Sequence, residues 1–217
     1  MPPTYELIYV PFTGFGEISR AMLDYAGADW KAIDLPLAEA TKLSPYGRVP
    51  VLRVNKPDGT VFTVSESRAI ERYLAKQFGL YGSNDEEAAL IDAYVSQWDD
   101  IRKFLFAYMH SSDATKEEAV ARLDKEMAHL SEKHSQILAA NTTEQGTHYV
   151  GNKVTWVDIS AYIDLGLLNH PMVTKGKAEA IHTISQKFES LTQTVVKDPK
   201  FANYLQESKA RRESYPR

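Results

Sequence analysis

The stretch Gly47–Val54, with the sequence Gly-Arg-Val-Pro-Val-Leu-Arg-Val, constrains the fold of this chain more than any other. Pro50 opens a run rich in β-branched residues, and a proline, which has no N–H for the ladder, belongs at the first residue of a strand or at an edge. A polar turn at 57–60, a second β-rich run and a helix start near Ser67 follow. These signals together predict a β-hairpin that leads into a helix.

The two ends of this hairpin predict a binding site for a small acidic peptide. If the Val49–Pro50 bond is cis, the chain turns sharply and leaves the main-chain N–H and C=O of Val49 unpaired. An extended peptide can pair with such an edge. The first N–H groups of the helix that begins near Ser67 form a site suited to a carboxylate.

The composition excludes several classes of function. A length of 217 residues allows one large domain or two modest ones. A net charge of −4 argues against a nucleic-acid partner, since phosphate binding requires a basic surface. The chain has no cysteine, so any thiol chemistry must use a thiol that the ligand carries. Its six histidines show no metal-ligand spacing, and we expect no metal site.

The distribution of apolar residues predicts a cytoplasmic protein that does not enter the membrane. No run approaches the roughly 20 apolar residues of a membrane-spanning helix. The first residues, Met-Pro-Pro-Thr-Tyr-Glu, lack the basic and apolar regions of a signal peptide.

The order of predicted elements divides the chain into a mixed α/β part and a helical part. Strand-like runs at 5–10 and 29–35 flank a helix at 17–26, and residues 36–42 are a short helix or loop. With the hairpin and a helix at 66–77, this order is βαβ-ββα and favours one mixed sheet. After a loop at 79–85 only helices are predicted, at 86–109, 116–140, 155–168, 178–195 and 199–208. We expect the basic end, 209–213, to be a solvated tail.

The motifs resemble those of one known family, the cytosolic glutathione transferases. The resemblance lies in Arg48–Leu52, in Ser65–Leu74 and in Tyr149–Asp158, and it is greatest to the tyrosine-type sigma class. It implies a thioredoxin-like glutathione-binding domain at 1–79, a linker at 80–85 and an all-helical electrophile-binding domain at 86–217. It also implies a homodimer that uses glutathione as co-substrate. Within the third motif, Thr155 and Asp158 have capping-box spacing, which we assign to folding.

Tyr9 is the candidate catalytic residue that the resemblance implies. In tyrosine-type transferases a hydroxyl at the end of the first strand hydrogen-bonds the sulfur of glutathione. A free thiol with a pKa of about 8.5 is mostly protonated at neutral pH, and a hydroxyl donor favours the thiolate. Two alternatives stay open: Tyr9 packs in the core on one strand face with Tyr5 and Leu7, or Thr13 supplies the hydroxyl.

The resemblance also implies how the rest of glutathione binds. Val49 would bind the cysteinyl part through its main chain, with Pro50 holding that shape. Glu66 and Ser67 would bind the γ-glutamyl ammonium and carboxylate, although many sigma-like relatives carry glutamine in place of Glu66. Lys42 is the candidate for the glycyl carboxylate, and a plain surface lysine is the alternative.

Further residues would complete the site from the helical domain and from the first loop. Asp99 matches an acid that in the family reaches the γ-glutamyl amine across the dimer interface; a solvated helix face is the alternative. The apolar electrophile would contact the aromatic residues Phe12, Phe15, Phe104 and Tyr108, although an aromatic stripe on a helix also packs in cores. Phe15 stands where sigma-type enzymes usually have an arginine, so one cationic contribution to the thiolate is missing.

The expected function is conjugation of glutathione to small hydrophobic electrophiles, as in detoxification. The alternatives are a sigma-type isomerase acting on a prostaglandin, a non-catalytic structural protein of the crystallin type, and a protein that carries apolar ligands.

Overall fold

The computed structural model describes residues 1–169 and 184–214. They group into two compact units, one formed by residues 1–81 with 197–214 and the other by the described residues of 82–196. Residues 197–214 thus pack with the first unit. The domain boundaries predicted from the sequence, which follow chain order, stay a prediction.

A four-stranded mixed sheet forms the centre of the first unit. Strand β1 runs parallel to β2 and antiparallel to β3, which pairs antiparallel with β4, so the spatial order is β2-β1-β3-β4. The Val49–Pro50 bond is cis, and Pro50 directly precedes β3, as its missing N–H requires. The four strands are β1 Thr4–Tyr9, β2 Trp30–Asp34, β3 Val51–Asn55 and β4 Val61–Ser65.

The helices of the first unit complete the predicted order. Helix α1 lies between β1 and β2, and a short helix α2 with a following 3₁₀ turn lies between β2 and β3. Helix α3 follows β4, and helix α8 packs against α1. This arrangement confirms a thioredoxin-like βαβ-ββα unit. The bounds are α1 Glu17–Tyr25, α2 Leu37–Ala40, the 3₁₀ turn Thr41–Leu43, α3 Ser67–Phe78 and α8 Phe201–Ser214.

The centre of the sheet is apolar on both faces, which is why β1 does not alternate. Leu7 and Ile8 are neighbours that point to opposite faces, and both are fully buried. On one face Ile8 packs with Ala40 and Val51, and Val49 lies against this cluster. The same apolar contacts therefore fix the segment that leads into Pro50.

The second unit is helical, as predicted. Helix α4 packs against both α5 and α6. The predicted capping box begins α6: the Asp158 carboxylate accepts hydrogen bonds from the N–H and the hydroxyl of Thr155, at 2.8 and 2.7 Å. The helices are α4 Asp85–Met109, α5 Lys116–Ala140, α6 Trp156–Leu168 and α7 Glu189–Lys197, with a small ladder of β5 Thr142–Thr143 and β6 Gly146–Thr147 between α5 and α6.

Three sequence expectations differ from the structure or lie outside it. The β5–β6 ladder was not predicted. The helix predicted at 178–195 falls partly in 170–183, outside the described residues. The segment 209–213 was wrongly expected to be a tail, since helix α8 runs to Ser214; Lys209 is exposed as expected, but the Arg211 side chain is only 14% exposed. Among the helices at 1–169 and 184–214, none is long and apolar enough to cross a membrane.

Candidate functional site

A pocket of about 190 Å³ in the first unit brings together most of the predicted glutathione-binding residues. The segment before β3 forms one side of it and the start of α3 forms another. The loop between β1 and α1 contributes a single aromatic side chain. The lining residues are Phe15, Arg48, Val49, Pro50, Glu66 and Ser67.

The start of α3 places the main-chain N–H groups of its first turn next to the Glu66 carboxylate. Glu66 caps the helix with φ 74° and ψ 116°, an unfavourable conformation for a residue with a Cβ atom. Its carbonyl accepts the first helical hydrogen bond, from the N–H of Ile70 at 2.9 Å. The N–H groups of the first turn have no partner within the helix and are suited to an anion. Backbone strain of this kind is often found at ligand sites.

Tyr9, the predicted catalytic residue, lies at the end of β1 and is 3% exposed. Its hydroxyl oxygen accepts a hydrogen bond from the main-chain N–H of Phe15, at 2.8 Å. Tyr9 does not line the pocket itself; Phe15, its hydrogen-bond partner, does. The phenol thus lies directly behind a pocket residue.

The loop that follows β1 wraps closely around the Tyr9 ring because it contains two glycines. A Cβ atom on Gly14 would lie 2.6 Å from the Tyr9 hydroxyl oxygen, and one on Gly16 would lie 2.8 Å from the ring. The exposed Phe12 ring lies 5.9 Å from that of Tyr9, centroid to centroid. Only residues without a side chain allow the Phe15 N–H to reach the hydroxyl at this distance.

A fully buried arginine, Arg20 of α1, supports the same loop. Its guanidinium donates to the carbonyl of Phe12 at 3.1 Å and to that of Val10 at 3.2 Å. It is neutralised by Glu17 at 3.1 Å and Asp34 at 2.6 Å. The guanidinium carbon lies 5.3 Å from the centroid of the Tyr9 ring, within the range of a cation–π interaction.

Two cations of the first unit, Lys42 and Arg48, differ in their position relative to the pocket. Lys42 lies on the 3₁₀ turn, exposed, and does not line the pocket. Arg48 does line it, although the sequence motifs did not single this residue out as a site residue. Its position directly before Val49–Pro50 is the signal that could have placed it at the pocket.

The remaining predicted residues belong to the second unit and are described within it. Asp99 is partly buried on α4 and forms an ion pair with Lys103 at 3.2 Å. The guanidinium carbon of Arg122 lies 4.6 Å from the centroid of the Phe104 ring. The Nζ atom of Lys116 lies 4.0 Å from the centroid of the Tyr108 ring. Within 1–169 and 184–214 no three histidine or acidic side chains are grouped to hold a metal ion.

Comparisons with known proteins agree with this geometry. The family model described as "Glutathione S-transferase, N-terminal domain" matches residues 15–77, and "Glutathione S-transferase, C-terminal domain" matches residues 99–208. "Probable glutathione S-transferase 6" of Caenorhabditis elegans is 32% identical over 167 residues, covering 71% of this chain and 75% of that protein. "Hematopoietic prostaglandin D synthase" of Gallus gallus is 35% identical over 161 residues, covering 72% and 75%.

A solved structure shows the same fold over nearly the whole length. The "Fasciola hepatica sigma class GST" superposes with a TM-score of 0.75 at 24% identity, covering 94% of this chain and 96% of that one. Together, the two domain matches, the identities to the worm and chicken proteins and the shared fold show that this chain belongs to the glutathione S-transferase family.

Proposed function

We propose that this glutathione transferase binds glutathione in the pocket of its first unit and that the Tyr9 hydroxyl hydrogen-bonds the glutathione sulfur. The observation that carries the proposal is the convergence of Val49–Pro50, Glu66–Ser67 and the Tyr9–Phe15 hydrogen bond in one unit of a chain that has no thiol of its own. The reaction would join that thiolate to a small apolar electrophile.

Each part of the tripeptide has a matching group in the pocket. The main chain of Val49 would pair with the cysteinyl residue as an added strand does. The Ser67 hydroxyl and the first N–H groups of α3 would bind the γ-glutamyl carboxylate, and the Glu66 carboxylate its ammonium. For the glycyl carboxylate we propose Arg48 in addition to Lys42, because Arg48 lines the pocket.

The chemistry requires only that the thiol be ionised and held in position. The thiol proton passes to solvent, the sulfur lone pair forms a bond to the electrophilic carbon, and a leaving group such as chloride departs with the electrons of its bond. Tyr9 is suited to stabilise the thiolate because its oxygen already accepts a hydrogen bond from Phe15, which makes its own proton a stronger donor. The main chain of Phe15 thereby supplies a donor at the position where sigma-type enzymes usually have an arginine.

The test is the Tyr9→Phe variant, with Tyr5→Phe as the matched control. Both tyrosines are buried on β1, and both changes delete one hydroxyl, but Tyr5 packs on Phe78 away from the loop. We expect Tyr9→Phe to lower kcat/KM with an aryl halide by about 10- to 100-fold, as loss of a hydrogen bond to a charged group of about 1.5–3 kcal/mol implies. The KM for glutathione should change little, and Tyr5→Phe should keep the wild-type rate.

Equal rates for the two variants would remove Tyr9 from the mechanism. Failure of the wild-type protein to bind immobilised glutathione would overturn the proposal as a whole.

The electrophile site and the assembly are further proposals. Phe12, Phe15, Phe104 and Tyr108 would contact the apolar substrate. We also propose a cytoplasmic homodimer in which Asp99 of one copy approaches the γ-glutamyl amine of the other. Large exposed apolar side chains on the first unit, Tyr46, Val61 and Phe62, support a dimer, and a monomeric mass in sedimentation would contradict it.

A prostaglandin isomerase is the second candidate, favoured by the 35% identity to the chicken protein. Turnover of a prostaglandin endoperoxide with glutathione present, compared with turnover of an aryl halide, would separate the two activities.

A further inference from the structure

The C-terminal helix α8 places a tyrosine hydroxyl on a buried carboxylate of α1. The Tyr204 hydroxyl donates to Oε1 of Glu17 at 3.0 Å, and both residues are 3% exposed. The two residues are 187 positions apart in the chain, and both belong to the first unit. A hydrogen bond to a buried carboxylate is strong and also fixes the carboxylate's orientation.

The second oxygen of the same carboxylate holds Arg20. Oε2 of Glu17 lies 3.1 Å from Nη1 of Arg20, whose guanidinium is completely buried. Because Tyr204 occupies one oxygen and Arg20 the other, rotation of the carboxylate would break both contacts. Tyr204 therefore helps to set where the guanidinium lies.

Arg20 in turn holds the loop that positions the proposed catalytic hydroxyl. Its Nη1 atom also donates to the Phe12 carbonyl, and its Nη2 atom donates to the Val10 carbonyl. The loop between these carbonyls and α1 carries the Phe15 N–H that donates to Tyr9. Arg20 forms ion pairs with Glu17 on its own helix and with Asp34 at the end of β2.

We propose that Tyr204 is a positioning residue for the sulfur-binding loop, acting through Glu17 and Arg20. This inference rests on the proposed function, since it assigns Tyr204 a role in keeping Tyr9 a strong donor to the glutathione sulfur. Loss of the Tyr204 hydroxyl leaves Glu17 free to turn, loosens the Arg20 contacts with the loop and weakens the Phe15–Tyr9 hydrogen bond. The pKa of the bound thiol then rises.

The chain offers a matched control between the same two segments. Tyr25, on α1, donates its hydroxyl to Oδ2 of Asp198, just before α8, at 2.8 Å. Tyr25 lies eight residues beyond Glu17, which is about 12 Å along the helix and away from the loop. Tyr25→Phe thus removes a hydroxyl–carboxylate hydrogen bond of the same kind without touching the Arg20 contacts.

The experiment titrates bound glutathione in the full-length wild type, Tyr204→Phe and Tyr25→Phe. The ultraviolet absorbance of the thiolate gives the midpoint, and kcat/KM with an aryl halide is measured over the same pH range. We expect Tyr204→Phe to raise the midpoint by about 0.5–1 pKa unit. At pH values below the midpoints of both proteins, its kcat/KM should be about three- to tenfold lower than that of the wild type. Its KM for glutathione should stay within about twofold of wild type, and Tyr25→Phe should keep the wild-type midpoint.

The outcomes separate this inference from the proposed function. A thiolate band in the wild type with an unshifted midpoint in Tyr204→Phe overturns the inference alone, as does an equal shift in Tyr25→Phe. No thiolate band in the wild type overturns the proposed function and the inference together. If Tyr204→Phe does not fold, the Glu17→Gln variant tests the inference instead. It keeps an oxygen for Tyr204 but removes the charge facing Arg20, and so breaks the link through which Tyr204 is proposed to act. A raised midpoint in this variant supports the inference, and an unchanged midpoint overturns it.

Discussion

At the scale of single residues, the space around the Tyr9 hydroxyl is the tightest feature of the site. Gly14 leaves no room for a methyl group, because its Cβ would lie 2.6 Å from the hydroxyl oxygen and 3.6 Å from the adjacent ring carbon. The ring is buried between the loop and Arg20 and has little freedom to move away. The requirement for glycine here is one of space and not of backbone conformation.

Gly14→Ala should therefore impair activity more than it impairs folding. The added methyl group displaces the Tyr9 hydroxyl or the loop, and we expect kcat/KM to fall about tenfold or more with a loss of about 1–3 kcal/mol in the free energy of unfolding. Steady-state kinetics and urea unfolding measure the two effects. Gly166→Ala on α6 is the control, since a Cβ there meets nothing within 4 Å and should stabilise the helix by about 0.5–1 kcal/mol. Wild-type activity in Gly14→Ala would show that the hydroxyl position is unimportant.

At the scale of elements, a buried polar network joins α4, α5 and the start of α6. The Tyr149 hydroxyl accepts a hydrogen bond from Trp98 at 3.0 Å and lies 2.8 Å from Nδ1 of His134. The other ring nitrogen of His134 lies 3.0 Å from the side-chain oxygen of Gln97, and the Tyr149 N–H donates to Asp158 at 2.8 Å. All these contacts are satisfied when His134 is neutral, donating to Gln97 and accepting from Tyr149.

Burial shifts the two titrating groups of this network in opposite directions. Burial, together with the nearby His129, lowers the pKa of His134 from 6.5 to about 4. Burial raises the pKa of Asp158 from 3.8 to about 6, against the hydrogen bonds from Thr155 and Tyr149, which lower it. His134 makes its full contribution to the free energy of unfolding above pH 6.5, and this contribution is lost as the pH falls to about 4. Asp158 makes its full contribution below pH 3.8, and this contribution is lost as the pH rises to about 6.

We predict that these two contributions nearly cancel between pH 4 and 6 and that single substitutions reveal each one. Relative to wild type, Asp158→Asn should gain stability as the pH rises through this range, and His134→Gln should lose it, each by on the order of 3 kcal/mol. Urea unfolding at several pH values measures the slopes. His110→Gln, at an exposed position, is the control and should follow the wild type. Parallel curves for all four proteins would contradict the opposed shifts.

The elements that the sequence predicts well are those whose signals are local. Helix α5 follows its three- and four-residue apolar spacing and was predicted with the observed bounds, and the capping box at Thr155 was visible as a short motif. The sequence marked Pro50 as a strand start but left the isomer of its bond to Val49 open, and the structure shows it to be cis. The predicted end of α8 was wrong because the contact that holds its last turns is not local: Arg211 donates to Asp24, which lies 187 residues away in the chain. Sequence motifs likewise named Val49 and Ser67, but the donor to Tyr9 is a main-chain N–H, which has no residue type to recognise.

At the scale of the whole molecule, helix α8 belongs to the first unit, although most of that unit comes from residues 1–81. Beyond Tyr204, helix α8 carries Arg211, which donates to Oδ2 of Asp24 at 2.8 Å and lies 5.4 Å from the ring centroid of Trp30. The other Asp24 oxygen accepts from Trp30 at 2.9 Å. Burial raises the pKa of Asp24, and Arg211 opposes that rise. The last helix thus provides the cation for a carboxylate that is buried near the end of α1.

Arg211→Leu should accordingly destabilise the first unit and do so more at neutral than at acid pH. The Asp24 side chain is 4% exposed, and leaving such a charge unpaired costs about 3 kcal/mol or more. Without Arg211 the pKa of Asp24 rises further, so protonation at low pH removes part of the loss. Urea unfolding at pH 7 and pH 4 measures the difference, and amide hydrogen exchange should quicken in α1 and β2 before it does so in α4 to α6.

Lys209→Leu, exposed on the same helix, is the matched control and should change the free energy of unfolding by less than about 0.5 kcal/mol. Arg211→Leu could instead lower the free energy of unfolding equally at both pH values. That result would mean that lost packing, and not the unpaired Asp24, is the cause, because only a titrating partner makes the loss depend on pH. Faster exchange spread evenly over both units would mean that α8 stabilises the chain as one cooperative whole, whereas faster exchange confined to the first unit would make the chain's last helix a structural part of its glutathione-binding unit.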